Sequence, residues 1–212
     1  MKSILCYGDS NTWGRIPITR GRYGFDVRWP GVLQSCLGDT ARVHENGLNG
    51  RTTVFEDPIE EGRNGRTAFE ITLMVNAPLD LLILMLGVND TKNRFAKAPW
   101  DIALGMDLLV QLAQRSGAGI DGQPPKILVV SPARMTEEWG ESMHSAIFSQ
   151  ESVHKCNALA PLYAEVARQR GCWFLDAALY ATAVSDGIHL SPEGHKALGR
   201  AMAAKVQEIW GE

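Results

Sequence analysis

Leu79-Asp80-Leu81-Leu82-Ile83-Leu84-Met85-Leu86-Gly87 decides the fold. Apart from Asp80 the run is apolar up to its closing glycine, and it has the length of a strand. A strand with one wet face alternates apolar and polar residues. An uninterrupted run is covered on both faces, as in a parallel sheet lying between helices. Comparable runs recur at Ile4–Tyr7, Lys126–Val130 and Cys172–Leu175, with a weaker one at Ala41–Glu45. Turn residues follow them: Gly8-Asp9-Ser10, Ser131-Pro132, Asp176 and Asn46-Gly47. Longer amphipathic stretches lie between. Trp29–Leu37 closes at Gly38, Thr67–Asn76 stops before Pro78, and Pro99–Arg115 opens on a proline suited to a first helical turn. Glu151–Arg170 ends at Gly171, and Ser191–Trp210 opens with Ser-Pro-Glu. Five strands alternating with helices predict an α/β fold: a single three-layer α/β/α domain over residues 1–212, flavodoxin-like, with a five-stranded parallel sheet.

The remaining composition narrows the class. The 212 residues suit one domain, with 45% apolar and 21% charged residues. A net charge of −3 leaves no basic footprint for nucleic acid and no polybasic membrane patch. No apolar run approaches the roughly 20 residues of a membrane span, and Ile4–Tyr7 is too short for the core of a signal peptide. A cytoplasmic protein is expected. Cys6, Cys36, Cys156 and Cys172 show no C-x-x-C spacing, and Cys6 and Cys172 are expected to be buried. His44, His144 and His154 lack a carboxylate at useful short spacing and an H-x-x-x-H partner, so no metal is expected.

In a parallel α/β sheet the site lies beyond the carboxyl ends of the strands. Three loops there carry unusual polar residues. Ser10, in Gly8-Asp9-Ser10-Asn11-Thr12-Trp13-Gly14, falls in a strand-to-helix turn. That position suits either a helix cap or a serine that attacks an ester carbonyl, with its own N–H serving the oxyanion. Asn89, in Gly87-Val88-Asn89-Asp90, either caps the next segment or offers its amide to an oxyanion. Asp186 and His189 are three residues apart, which suits either a surface histidine near a helix start or a carboxylate that orients an imidazole as general base. His195, inside the last helix, is expected to be exposed. A cap at each position does not explain why all fall on one rim of one sheet.

These blocks resemble the SGNH (GDSL-type) hydrolases. Gly8-Asp9-Ser10 matches their first block, Gly50 in Gly47-Leu48-Asn49-Gly50-Arg51-Thr52-Thr53 their second, Gly87 to Asp90 their third and Asp186 to His189 their fifth. Order and spacing agree over nearly the whole chain. The flanking residues, among them Arg51-Thr52-Thr53 and Asn89-Asp90-Thr91-Lys92, are similar to the arylesterase and acyltransferase branch. Asn11 departs from the leucine common in relatives.

The resemblance implies a serine esterase without cofactor. Ser10 is the nucleophile, His189 the base and Asp186 its orienting carboxylate. The oxyanion is held by the N–H of Ser10, the N–H of Gly50 and the Asn89 amide. It also implies a small, short-chain ester substrate, water or an alcohol as acyl acceptor, and a homo-oligomer. Candidate substrate contacts are Asp9, Asn11 and Trp13 in the first loop, Trp139, Met143 and Phe148 in the long loop, and Ile188 beside His189. Residues 133–150 read equally as a lid over the site or as a subunit contact. Arg51, Lys92 and Arg94 fall near the rim and are expected to be solvated surface charges, the alternative being contact with a polar leaving group. Alternatives are a carbohydrate acetyl esterase, a thioesterase or, more remotely, a flavodoxin-like phosphate- or nucleotide-binding module. The last lacks a G-x-G-x-x-G or Gly-Lys-Ser/Thr loop.

Overall fold

The apolar runs form the sheet of the computed structural model, which describes residues 1–19, 21–139 and 143–211. The strands are β1 (Lys2–Gly8), β2 (Ala41–Gly47), β3 (Leu81–Met85), β4 (Lys126–Ser131) and β5 (Trp173–Asp176). All neighbouring pairs are parallel, in the order β2-β1-β3-β4-β5. The helices are α1 (Ser10–Trp13), α2 (Trp29–Leu37), α3 (Phe69–Asn76), α4 (Pro99–Arg115), α5 (Gln150–Asn157), α6 (Leu159–Arg170) and α7 (Pro192–Trp210).

Successive strand residues point to opposite faces, so each strand feeds two cores. Leu5, Tyr7, Leu82, Leu84, Ile127 and Val129 pack against α3, α4 and α6. Ile4, Cys6, Leu81, Ile83, Leu128 and Val130 pack against α2 and α7. The result is the three-layer α/β/α arrangement expected of uninterrupted apolar strands. The sheet order reverses between β1 and β3, and the crevice at such a switch point is where ligands bind in this architecture. Ser10 follows β1 and Asn89 follows β3.

Two expectations are corrected. Glu151–Arg170 is two helices, α5 and α6, that meet at Ala158. Pro161 has no N–H for the carbonyl four residues before it, so one continuous helix would lose that bond. Asn157 uses the break, its side chain bonding both N–H and C=O of Met135. The second correction concerns Cys172, which precedes edge strand β5 and is only half-buried, whereas Cys6 in a central strand is fully buried. Among the described residues no helix is long and apolar enough to cross a membrane.

Candidate active site

Ser10 opens α1 directly after β1. Asp9 precedes it as the N-cap, its carboxylate accepting the Asn11 N–H at 2.9 Å. This short helix approaches the end of β2, where a side chain at Gly47 would lie 2.2 Å from the Trp13 backbone nitrogen. The Asn11 side chain faces the loop before α7. It donates to the Ile188 carbonyl at 3.1 Å and accepts from the Leu190 N–H at 3.3 Å. Asn11 thus ties the serine's helix to the loop that carries His189.

Ser10 Oγ lies 2.9 Å from His189 Nε2, and His189 Nδ1 lies 2.8 Å from Asp186 Oδ2. A carboxylate accepts only, so Nδ1 carries the imidazole proton and Nε2 is free to accept from the serine hydroxyl. The Asp186 side chain is fully buried. Burial alone would raise its pKa. The bonds from His189 and the backbone N–H groups of His189 and Ile188 outweigh it and hold the carboxyl well below the ordinary carboxylate range. Asp186 is therefore held in its ionised form.

Across the crevice, residues 48–53 form a turn that brings Gly50 to the cavity wall. Gly50 adopts φ +81°, and a side chain there would crowd the Glu60 carboxylate at 3.0 Å; both features call for glycine. Arg51 fixes this turn. Its guanidinium donates to the carbonyls of Gly8 at 2.8 Å and Asn46 at 2.6 Å, and it lies 4.0 Å from the Tyr7 ring centroid. Its carbonyl accepts from Asn89 Nδ2 at 3.1 Å. Asp90 accepts both the N–H and the hydroxyl of Thr53. The Gly50 and Asn89 loops are therefore bonded to each other at two points.

A cavity of about 390 Å³ opens over these groups and is lined by Ser10, Asn49, Gly50, Asn89 and His189. Its apolar lining residues are Ile18, Met143, Ile147, Phe148 and Ile188, and its charged ones include Arg15, Glu60 and Lys92. Of the candidate substrate contacts, Met143, Phe148 and Ile188 thus line the cavity. Asp9, Asn11, Trp13 and Trp139 are not among its lining residues. Trp139 stacks on Phe148 with centroids 6.4 Å apart, and Trp13 stands under the Arg22 guanidinium.

Three expectations about charged or polar groups fail. Arg51 and Lys92 are buried rather than solvated. Lys92 Nζ and Arg94 share the fully buried Asp57 carboxylate and also reach Glu60. Burial would raise the Asp57 pKa, but backbone N–H groups and the two cations hold it far below the usual range. His195 is fully buried, not exposed: its Nδ1 faces the Trp29 N–H at 3.4 Å, and burial lowers its pKa to about 4.

His144 is the cavity residue that short spacing could not reveal. It is 42 positions from Asp186, yet its Nδ1 lies 3.3 Å from the Asp186 carbonyl oxygen. Nothing in a single sequence marks that contact.

A family model for GDSL-like lipases and acylhydrolases matches residues 6–197. The chain belongs to the GDSL-like lipase/acylhydrolase family. Solved structures agree over full length. An aryl esterase from M. smegmatis is 38% identical, covers 99% of this chain and 100% of its own, and superposes with a TM-score of 0.93. A carbohydrate acetylesterase family member from Sinorhizobium meliloti is 38% identical over 100% of both chains, again with a TM-score of 0.93. A lipase/acylhydrolase from Enterococcus faecalis, at 15% identity and a TM-score of 0.72 over 99% of this chain and 97% of its own, shares the fold. Comparison with curated protein sequences gave no match. This GDSL-like chain is a carboxylic ester hydrolase of the serine type.

Proposed function

We propose that the protein hydrolyses small esters of short carboxylic acids through an acyl-enzyme on Ser10. The unbroken path from Ser10 Oγ through His189 to Asp186, opening into the cavity, carries this reading. His189 Nε2 takes the hydroxyl proton as Ser10 Oγ bonds to the acyl carbon, and later delivers it to the leaving alcohol. Asp186 holds the tautomer and stabilises the imidazolium. The negative oxygen of the tetrahedral intermediate is received by the Ser10 and Gly50 N–H groups and the Asn89 amide. Water activated by the same imidazole frees the acid. An alcohol in place of water gives transesterification.

The cavity sits near the lower end of the roughly 300–1,000 Å³ typical of small-molecule sites, which favours short acyl groups. Its charged lining residues Arg15, Glu60 and Lys92 suit a hydroxylated leaving group as well as an aryl one. Ile71, Met74 and Val75, at helical spacing on α3, form an exposed apolar face, which favours a homo-oligomer. Four unpaired cysteines suit a reducing compartment such as the cytoplasm. The test is turnover of p-nitrophenyl esters from acetate to octanoate, alongside acetylated sugars, with and without methanol. Rates falling with chain length support the reading, and methyl ester formation would show acyl transfer. A preference for octanoate would contradict the short-acyl assignment.

A further inference from the structure

Beside the acid–base pair Asp186 and His189, a third donor group, His144, arrives from a distant part of the chain. His144 sits on the short turn Met143–Ala146, its ring centroid 5.5 Å from that of His189. His144 Nδ1 lies 3.7 Å from Asp186 Oδ2, and His189 Nδ1 lies 2.8 Å from the same oxygen. One donor atom from each of the three residues lies within 4.8 Å of the other two. Zinc holds nitrogen and carboxylate ligands at about 2.0–2.2 Å, so ligands around a tetrahedral ion are about 3.3 Å apart. The two separations to Oδ2 straddle that value. The charge of Arg15 reaches His144 and opposes a cation there, while the Asp186 carboxylate offsets it.

We infer that His144, Asp186 and His189 form a binding site for a divalent transition-metal ion such as Zn²⁺, and that the bound ion switches the esterase off. Two imidazoles and one carboxylate are a donor set these ions favour, with a fourth position open to water from the cavity. Inhibition follows from proton bookkeeping on one ring. A metal on His189 Nδ1 displaces the proton held there to solvent, and Nε2 takes one up, so the imidazole stays neutral. Nε2 then has no lone pair for the Ser10 proton, and the serine is not activated. Only this inhibitory consequence rests on the esterase reading; occupancy of the site does not.

The experiment titrates ZnCl₂ into p-nitrophenyl acetate turnover by wild type, His144→Phe and Cys36→Ser, followed by excess EDTA. Cys36 is an exposed thiol and controls for binding elsewhere. Each protein is compared with its own metal-free rate. Wild type and Cys36→Ser are expected to be inhibited alike and restored by EDTA. The half-inhibiting concentration should rise at least about tenfold in His144→Phe, since losing even an outer hydrogen-bond partner of a ligand costs that much. A parallel titration of Co²⁺ into Ser10→Ala should give the visible band of a tetrahedral ion, lost on adding His144→Phe. His144→Asn serves if the phenylalanine variant does not fold. Equal inhibition of wild type and the His144 variant, relief by Cys36→Ser, or absence of the Co²⁺ band would overturn the site. Metal-free turnover that does not depend on Ser10 would instead overturn the esterase reading, with the Co²⁺ band still reporting the site.

Discussion

Asn89→Ala tests the oxyanion role proposed for the Asn89 amide. One N–H of the side-chain amide is committed to the Arg51 carbonyl at 3.1 Å, and Asn89 is on the cavity wall with Ser10 and Gly50. The second N–H is the one available to the developing oxyanion. Removing such a donor in acyl transfer typically raises the barrier by about 2.7–4 kcal/mol, or roughly 10²–10³ in kcat. The interaction belongs to the transition state, so KM should move by no more than a few fold. Losing the bond to Arg51 should lower fold stability by about 1 kcal/mol. The assay is steady-state hydrolysis of p-nitrophenyl acetate, with urea unfolding measured on the same preparations. Asn89→Asp sharpens the result, because a carboxylate cannot donate and adds charge beside buried Asp90; its kcat should be at least as low. A kcat within about threefold of wild type in Asn89→Ala would refute the assignment. So would a large loss confined to KM.

Other perturbations read other parts of the molecule. Phe148→Ala removes a buried ring from the lining of the cavity; relative rates on butanoate and hexanoate esters should rise, and stability should fall by about 3 kcal/mol or more on urea unfolding. Lys92→Met leaves the buried Asp57 carboxylate with Arg94 as its remaining side-chain cation; a loss of about 3 kcal/mol is expected on urea unfolding, the lower end for breaking a buried pair. Burial pushes the carboxyls of Asp9 and Asp90 up to about 7 and about 6. In the unfolded chain both ionise near the ordinary value of about 4, so the fold holds more protons between these limits and its stability from these groups falls as pH rises from about 4 to about 7. Asp90→Asn, which keeps an acceptor for Thr53, should flatten the part of that fall below about pH 6 in urea unfolding compared at about pH 4.5 and about pH 7.5.

The sheet was legible because burial on both faces leaves a signature that any reader of hydropathy sees, as in Leu81 to Leu86. The helix break at Ala158 was also written in the chain, in Pro161, but an amphipathic pattern running from Glu151 to Arg170 masks it. The polar residues of the site were legible as short blocks, and the structure brings Ser10, Gly50, Asn89 and His189 to one cavity, with Asp186 bonded to His189. What escaped reading is long-range pairing. Lys92 reads as a surface lysine until Asp57, 35 residues away, is seen buried against it. His144 meets Asp186 across 42 residues. Asn11 reads as a polar substrate contact, yet both ends of its amide are spent on Ile188 and Leu190. In each case the partner is set by the sheet's topology, which local spacing does not contain.

The central claim is that Ser10 carries the acyl group. Turnover of p-nitrophenyl acetate by wild type and Ser10→Ala, with circular dichroism to verify the fold, tests it most directly. The account predicts a loss of roughly 10⁴-fold or more in the variant, leaving only what the oxyanion donors and binding supply. Turnover in a folded Ser10→Ala protein that matches wild type would contradict it.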